Sequence, residues 1–326
     1  MNGTMHAVAF DAFGTPDNLR IAEFPIPLPR RGEVVVRVTA ASVNPTDLMM
    51  LSGQQARMMA ELSPPYVGGM EFSGHVHEVG EGVNVVAKGD AVIGVVNPRR
   101  PEGGAQAAYV RVPAASVAKL KPEVDLVSAA TVPMNALTAH MTLDLLSLQP
   151  GQSVLVTGGS GMLGGSVIQL ARRAGLHVVA TGSTDDWPLL RSLGADTCVS
   201  RDEAGMVGAV REAFPEGVDG LVDGALIGNN ISFLVRDGGT AVSLRITSPI
   251  EDKRLKTPYV SVIAGMERTD ILDAIASGIE ERAIVPRVAE GGRFSFKHAA
   301  DAYRMALRGG FRGRVVLLFD DAVASD

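Results

Sequence analysis

The segment Ser153-Val-Leu-Val-Thr-Gly-Gly-Ser-Gly-Met-Leu-Gly-Gly-Ser166 limits what this chain can fold into more than any other. A β-branched run at 154–157 enters Gly159-x-Gly161-x-x-Gly164, and an apolar helix-like stretch at 162–174 leaves it. Strand, glycine turn and helix at this spacing form a dinucleotide fingerprint. One glycine permits the tight turn, one lets backbone amides approach a pyrophosphate, and one lets helix and strand pack closely. The helix N-terminus adds partial positive charge where the phosphates would lie. Gly158, Gly159, Ser160, Gly161, Met162, Leu163 and Gly164 are the expected cofactor-binding residues. A glycine-rich turn with no ligand is the competing reading, and the strand before it and the helix behind it argue against that.

The residues after the loop repeat the pattern. Strands are predicted at 177–181, 197–200, 220–223 and 240–243, with helices at 188–193 and 203–214 between them. Asp186 and Pro188 supply start signals for the first of these helices. Alternation at this length implies a doubly wound parallel sheet. Just upstream, 127–146 reads as helix with a break or kink at Pro133.

The first third has a different texture. Short strands are predicted at 7–10, 33–40, 72–79, 91–96 and 107–112, with turns at 80–82 and 88–90, and Pro25, Pro27 and Pro29 make an extended connector. The tail from 285 to 319, with one helix at 298–307 and a last strand at 315–319, looks like this first third. The expected organisation is α/β: a barrel-like β domain begun by 1–123, a Rossmann unit at 124–265, and a return at 266–326 that completes the first domain.

Composition removes whole classes of function. With 326 residues, 46% apolar and 20% charged, the chain can bury a full core and is not disordered. A net charge of −6, with Arg99–Arg100 as the basic cluster, argues against a nucleic-acid footprint. The first ten residues lack a basic stretch followed by an apolar one, and no apolar run approaches the roughly 18 residues that cross a bilayer. A cytoplasmic protein with no membrane partner is expected. The single cysteine, Cys198, excludes an intrachain disulfide and reads as a strand residue. The six histidines show no common ligand spacing, and His75 with His77, alternating on one strand, lack a third ligand, so no metal site is expected.

The end of the second Rossmann strand bears on cofactor choice. NAD enzymes usually place Asp or Glu there to bond both ribose hydroxyls. This chain has Thr181-Gly-Ser-Thr184, with Asp185 and Asp186 only later. Small hydroxyl residues accept a 2′-phosphate that a carboxylate repels, so NADP(H) is expected, contacted by Thr181, Ser183 and Thr184. Arg201, just past the third strand, is placed to supply a guanidinium, with a plain surface arginine as the alternative.

Further strings carry a resemblance along essentially the whole chain. They are Met5-His-Ala-Val-Ala-Phe, Gly32-Glu-Val-Val-Val-Arg-Val, Ala41-Ser-Val-Asn-Pro-Thr-Asp47, Gly69-Met-Glu-Phe-Ser-Gly74, Val79-Gly-Glu-Gly-Val, Lys88-Gly-Asp-Ala-Val, Leu137-Thr-Ala139 and Gly313-Arg-Val-Val-Leu. With the glycine loop, in this order, they resemble the zinc-free quinone oxidoreductase-like branch of the medium-chain dehydrogenase/reductase superfamily. The resemblance implies a GroES-like catalytic domain, a Rossmann domain, a cleft between them and a homodimer. It places Asn44 near the nicotinamide and the substrate oxygen, has Asp47 buttress that loop, and sends Thr138 to the nicotinamide ribose or carboxamide. Zinc relatives carry a cysteine near Asn44 and a histidine where Met70 stands, and one cysteine cannot build either of their sulfur sites. Glu71 reads as structural, paired with backbone or a core arginine.

Two departures bear on chemistry. Many relatives have tyrosine where Met49 stands and arginine where Leu51 stands, so Leu48, Met49, Met50 and Leu51 are expected to form an apolar pocket rim. Proton delivery then falls to water or another residue. Tyr259 is one candidate, against a reading as a packed strand tyrosine. The leading expectation is hydride transfer from NADPH to a small-molecule conjugated carbonyl, a quinone or an enone. The alternatives are an enoyl reductase tailoring a biosynthetic intermediate and a non-catalytic NADPH-binding or sensor protein.

Overall fold

The computed structural model describes residues 3–245 and 249–319. The chain forms two compact units. One joins the N-terminal segment through Met134 to the segment from Met266 onward, and the other is Asn135–Gly265.

In chain order the elements of the N-terminal segment are β1 (Thr4–Phe10), β2 (Arg20–Pro25), β3 (Glu33–Val43), α1 (Pro45–Leu51), β4 (Tyr66–Val67), β5 (Glu71–Val79), β6 (Ala91–Val95), β7 (Tyr109–Pro113), β8 (Val117–Lys119) and α2 (Leu126–Ala129). The helix α3 (Pro133–Leu146) runs across the division between the units. The second unit continues with β9 (Ser153–Thr157), α4 (Met162–Arg173), β10 (His177–Gly182), α5 (Trp187–Leu193), β11 (Thr197–Ser200), α6 (Glu203–Ala213), β12 (Val218–Asp223) and β13 (Val235–Val242). The returning segment supplies α7 (Thr269–Glu280), β14 (Val288–Ser295), α8 (Ala299–Arg308) and β15 (Arg314–Leu318).

The long strand β3 organises the first unit. Val34, Val36, Val38 and Ala41 face one core cluster together with Phe72, Val76, Val92, Val110 and Val112. One edge of β3 pairs antiparallel with β5 over Val34–Ala41, while the other meets β7 at its start and β15 at its end. The returning segment therefore finishes a sheet begun by the first third, as expected of the GroES-like domain that the resemblance implied. A second core cluster seals the join, with Met50 and Leu51 of α1 against Ala302 and Tyr303 of α8 and Val315 and Leu317 of β15. Stripping such side chains from water supplies about 1.5–3 kcal/mol each.

The second unit is the doubly wound half. Its five strands run parallel in the order β11-β10-β9-β12-β13. Every residue of β9 is buried, which explains its continuous β-branched run. β10 and β11 lie to one side of β9, and β12 and β13 to the other. The chain reverses its direction of strand addition at β9, leaving a crevice outside the C-terminal ends of β9 and β12.

Some elements differ from the sequence reading. The sequence reading has no helix at Asn44-Pro45, yet the pair opens α1, because Pro45 occupies the first helical position, where its missing N–H costs nothing. α7 was not anticipated, although Ile271, Leu272, Ile275, Ala276 and Ile279 are buried on one face. The last Rossmann strand begins at Val235 rather than 240, since Arg236, Asp237 and Gly238 are exposed and carry no apolar signal. No helix among the described residues is long and apolar enough to cross a membrane.

Candidate active site and cofactor loop

At the end of β9 the chain turns on Gly158, whose φ of +63° falls where a Cβ is disfavoured. The turn is pinned from β10: the Gly158 N–H donates to Thr181 Oγ1 (3.2 Å) and the Gly159 N–H to the Thr181 carbonyl (3.2 Å). α4 then starts with Gly161 as its N-terminal cap. The first N–H bonded back along the helix is that of Gly165, to Gly161 O (2.9 Å), so the amides of Met162, Leu163 and Gly164 precede the ladder. A Cβ on Gly164 would lie 2.3 Å from the Gly158 carbonyl oxygen. The helix can approach the loop this closely only because position 164 has no side chain. Amides with no helical partner, a tight glycine cradle and a position at the switch point fit a diphosphate.

The neighbouring strand ends bring together most of the residues expected to select the cofactor. Parallel register sets Gly182 of β10 beside Ser200 of β11, so Ser183 and Arg201 leave adjacent strands at the same level. Arg201 is exposed, and its guanidinium makes no hydrogen bond or ion pair among the described residues. Thr184 is exposed as well. The other two hydroxyls are already engaged: Thr181 is buried and braces the glycine loop, while Ser183 Oγ donates to Asp186 Oδ2 (2.7 Å). Asp186 itself is buried.

In the first unit the Asn44 segment ends β3 and caps α1. Asp47, three residues on, reaches back so that Oδ2 accepts the Asn44 N–H (2.7 Å), while Oδ1 accepts the Gly69 N–H (2.8 Å). One carboxylate therefore ties the start of α1 to the turn before β5. Asn44 Nδ2 donates to Glu71 Oε1 (2.9 Å), and Glu71 Oε2 accepts the Met134 N–H (2.8 Å). Asn44, Asp47 and Glu71 are all at most 1% exposed. The side-chain oxygen of Asn44, Oδ1, is buried without a hydrogen-bond partner. Burial pushes the Asp47 carboxyl up to about 7 against the pull of its two amide donors, and the Glu71 charge adds to the rise. Burial also raises Glu71, with the Arg314 guanidinium opposing it. Burial lowers Arg314 in turn, against both carboxylates.

Several other candidates are placed differently from expectation. Tyr259 is no packed strand residue: it is 42% exposed and meets the sheet at an isolated bridge to Ser243. Thr138 is half-buried within α3, its carbonyl accepting from Thr142 Oγ1 (2.7 Å). Of the expected apolar rim, Met50 and Leu51 turn into the core, leaving Leu48 and Met49 part-buried. Cys198 is only partly buried, and desolvation raises its thiol. No group of three or more His, Cys, Asp or Glu that could hold a metal ion occurs among the described residues.

Sequence reasoning missed two groups. Thr157 Oγ1 donates to Asp223 Oδ1 (2.5 Å) and accepts from the Ala225 N–H (3.0 Å), which fastens the turn after β12 beside the glycine loop. In the first unit, the buried hydroxyl of Tyr303 donates to Gln106 Oε1 (2.7 Å), near Gly68 and the Asp47 carboxylate. The bonded partners are 66 and 197 residues apart, a distance at which no local pattern can pair them.

Two family models match the chain: an alcohol dehydrogenase GroES-like domain over residues 30–122 and a zinc-binding dehydrogenase domain over 193–317. The NADPH-dependent alkenal/one oxidoreductase of Arabidopsis thaliana is 29% identical over 321 residues, spanning 96% of this chain and 79% of that protein. The quinone oxidoreductase of Coxiella burnetii superposes with a TM-score of 0.84 at 26% identity, covering 97% of this chain and 99% of that one. A mycobacterial protein solved as its complex with NADPH gives a TM-score of 0.79 at 27% identity, covering 96% and 100%.

Proposed function

This chain belongs to the quinone oxidoreductase-like branch of the medium-chain dehydrogenase/reductase superfamily, and from that premise we propose that it is an NADPH-dependent reductase of quinones or other conjugated carbonyls. The observation that carries this reading is the glycine cradle at the switch point, where a side chain at position 164 would strike the Gly158 carbonyl. NADPH, when bound, supplies the hydride.

The chain's own residues bind and orient. The amides of Met162, Leu163 and Gly164 at the start of α4 hold the diphosphate, and Gly158, Gly159, Ser160 and Gly161 form the loop around it, the first two pinned to Thr181. Arg201 and Thr184 meet the 2′-phosphate. Thr181 and Ser183 act there by shaping the loop and the strand end, since their hydroxyls are already engaged. Thr138 meets the nicotinamide ribose or carboxamide, and Asn44 orients the substrate oxygen and the nicotinamide. Asp47 fixes the Asn44 backbone through its own hydrogen bond. Tyr259, with its exposed phenol, is the protein-borne proton donor, with water as the other source. In this reading 1–123 with 266–326 forms the catalytic domain and 124–265 the cofactor domain, and the enzyme acts as a cytoplasmic homodimer on a small molecule. An apolar rim of four residues would suit a bulky enoyl substrate, but Met50 and Leu51 lie in the core, which leaves quinones and small enones ahead.

The test is NADPH consumption against a panel of quinones and enones, repeated with NADH and with Asn44→Ala. Oxidation by at least one acceptor, a preference for NADPH, and a loss of about tenfold or more in the variant are expected. Turnover unchanged by Asn44→Ala would retire that residue as a contact. Tight NADPH binding with no acceptor consumed would make the protein a sensor instead.

A further inference from the structure

Among the described residues, three that are not glycine have positive φ: Ser147 (52°), Leu226 (59°) and Arg282 (58°). Ser147 and Arg282 lie just past the ends of α3 and α7, where a left-handed residue commonly closes a helix. Leu226 closes no helix. It lies in the turn after β12, where a residue with a branched side chain is unfavourable and glycine or asparagine is usual. Its side chain is 37% exposed despite being apolar.

The surrounding bonds pin this turn on both sides of Leu226. Asp223 takes the Thr157 hydroxyl on one oxygen (2.5 Å) and the Gly228 N–H on the other (2.7 Å). The Ala225 N–H reaches Thr157 Oγ1 (3.0 Å), and the Leu226 N–H reaches the Asp223 carbonyl (3.3 Å). Strain over-determined in this way gathers at ligand sites. The place in the sheet agrees. β12 lies across β9 from β10, and the residues that read the adenosine ribose stand at the end of β10. A dinucleotide whose diphosphate rests on the loop after β9 runs its other half toward the end of β12. There Leu226 lines a small recess with Asp223, Gly228, Ser243 and Leu244.

We propose that Leu226 is an apolar contact for the nicotinamide half of the dinucleotide, held in its strained conformation by the Thr157–Asp223–Gly228 clamp. This rests on the cofactor reading given above. The clamp residues are positioning residues, and only Leu226 touches the ligand. The leucine is kept for the contact it makes, since the turn itself is better served by a residue without a branched side chain.

The test separates the two halves of the ligand. NADPH and 2′,5′-ADP, which carries the adenosine half and the 2′-phosphate but no nicotinamide, are titrated into the full-length protein and into Leu226→Gly and Leu226→Asn. Thermal unfolding is followed without ligand. Both variants are expected to bind NADPH about five- to tenfold more weakly, the loss of one partly buried leucine contact. They hold 2′,5′-ADP within about twofold, a factor below that of a lost contact. They unfold no earlier than the parent protein, because relief of strain offsets the lost packing. Unchanged NADPH affinity in both variants overturns the proposal. So does an equal loss for 2′,5′-ADP, which would make the turn a support for the diphosphate loop, or a clearly lower unfolding temperature, which would make Leu226 a packing residue. If the parent protein binds neither ligand, the cofactor reading falls along with this one.

Discussion

The glycine loop after β9 is built from bare backbone, whereas the Asn44 segment after β3 is built from buried side-chain charge. The loop contributes amide groups and the absence of side chains. Its fit is steric, and nothing in it titrates near neutrality. The other region packs Asp47 and Glu71, both enclosed, in the field of the Arg314 guanidinium. Its charge depends on which groups carry protons. A site of backbone is fixed once the strand and helix have packed, while a site of buried carboxylates stays tied to pH through every group in the cluster.

The largest effect that could break this contrast is steric. Gly164→Val puts a side chain against the Gly158 carbonyl, and dinucleotide affinity is expected to fall about a hundredfold or more at every pH tested, as the diphosphate loses its cradle. Titration from pH 5 to 8 checks this, and a loss confined to one end of that range would mean that the loop is not a purely backbone site.

The pH-dependent side is sharpened by Asp47→Asn. The folded-state pKa of Asp47 stands above its unfolded value, at about 7 against 3.8, so the folded protein holds the proton more tightly. Its contribution to stability is therefore full below about pH 4 and is lost as pH rises through about 7. Relative to the variant, the native protein should lose at most about 4 kcal/mol across that window. Denaturant unfolding of both proteins at several pH values measures the difference. If the native protein gains on the variant as pH rises, the amides of Asn44 and Gly69 outweigh burial.

The smallest effect concerns the one charged side chain assigned to the backbone-built half. Arg201→Ala should narrow the preference for NADPH over NADH by about tenfold, the value of one charge-assisted contact at an exposed position. Salt should weaken the native preference and leave that of the variant nearly flat. A preference untouched by the substitution would return Arg201 to the plain surface.

How much was legible in the sequence follows the same division. The loop could be read because its constraint is local: glycines at fixed spacing between a β-branched strand and an apolar helix have few other uses. Strand–helix alternation likewise gave the parallel sheet, and the first third and the tail could be matched by texture before β15 was seen beside β3. The chain alone also placed Ser183, Thr184 and Arg201 at strand ends. It did not show that the Thr181 and Ser183 hydroxyls are already engaged, because their partners, Gly158 and Asp186, depend on how the loop and the next turn fold back.

Tertiary structure alone decided the rest, and the reason is distance along the chain. Nothing in Ala41-Ser-Val-Asn-Pro-Thr-Asp47 says that Asp47 will reach Gly69, or that Asn44 will hand its amide to Glu71; those bonds exist because β3 and β5 pair. The same holds for Asp223 and Thr157, neighbours only because β9 and β12 run side by side. A fingerprint carries its meaning in adjacent residues, whereas a buried charge acquires its pKa, and a strained leucine its exposure, only from what the fold sets around it.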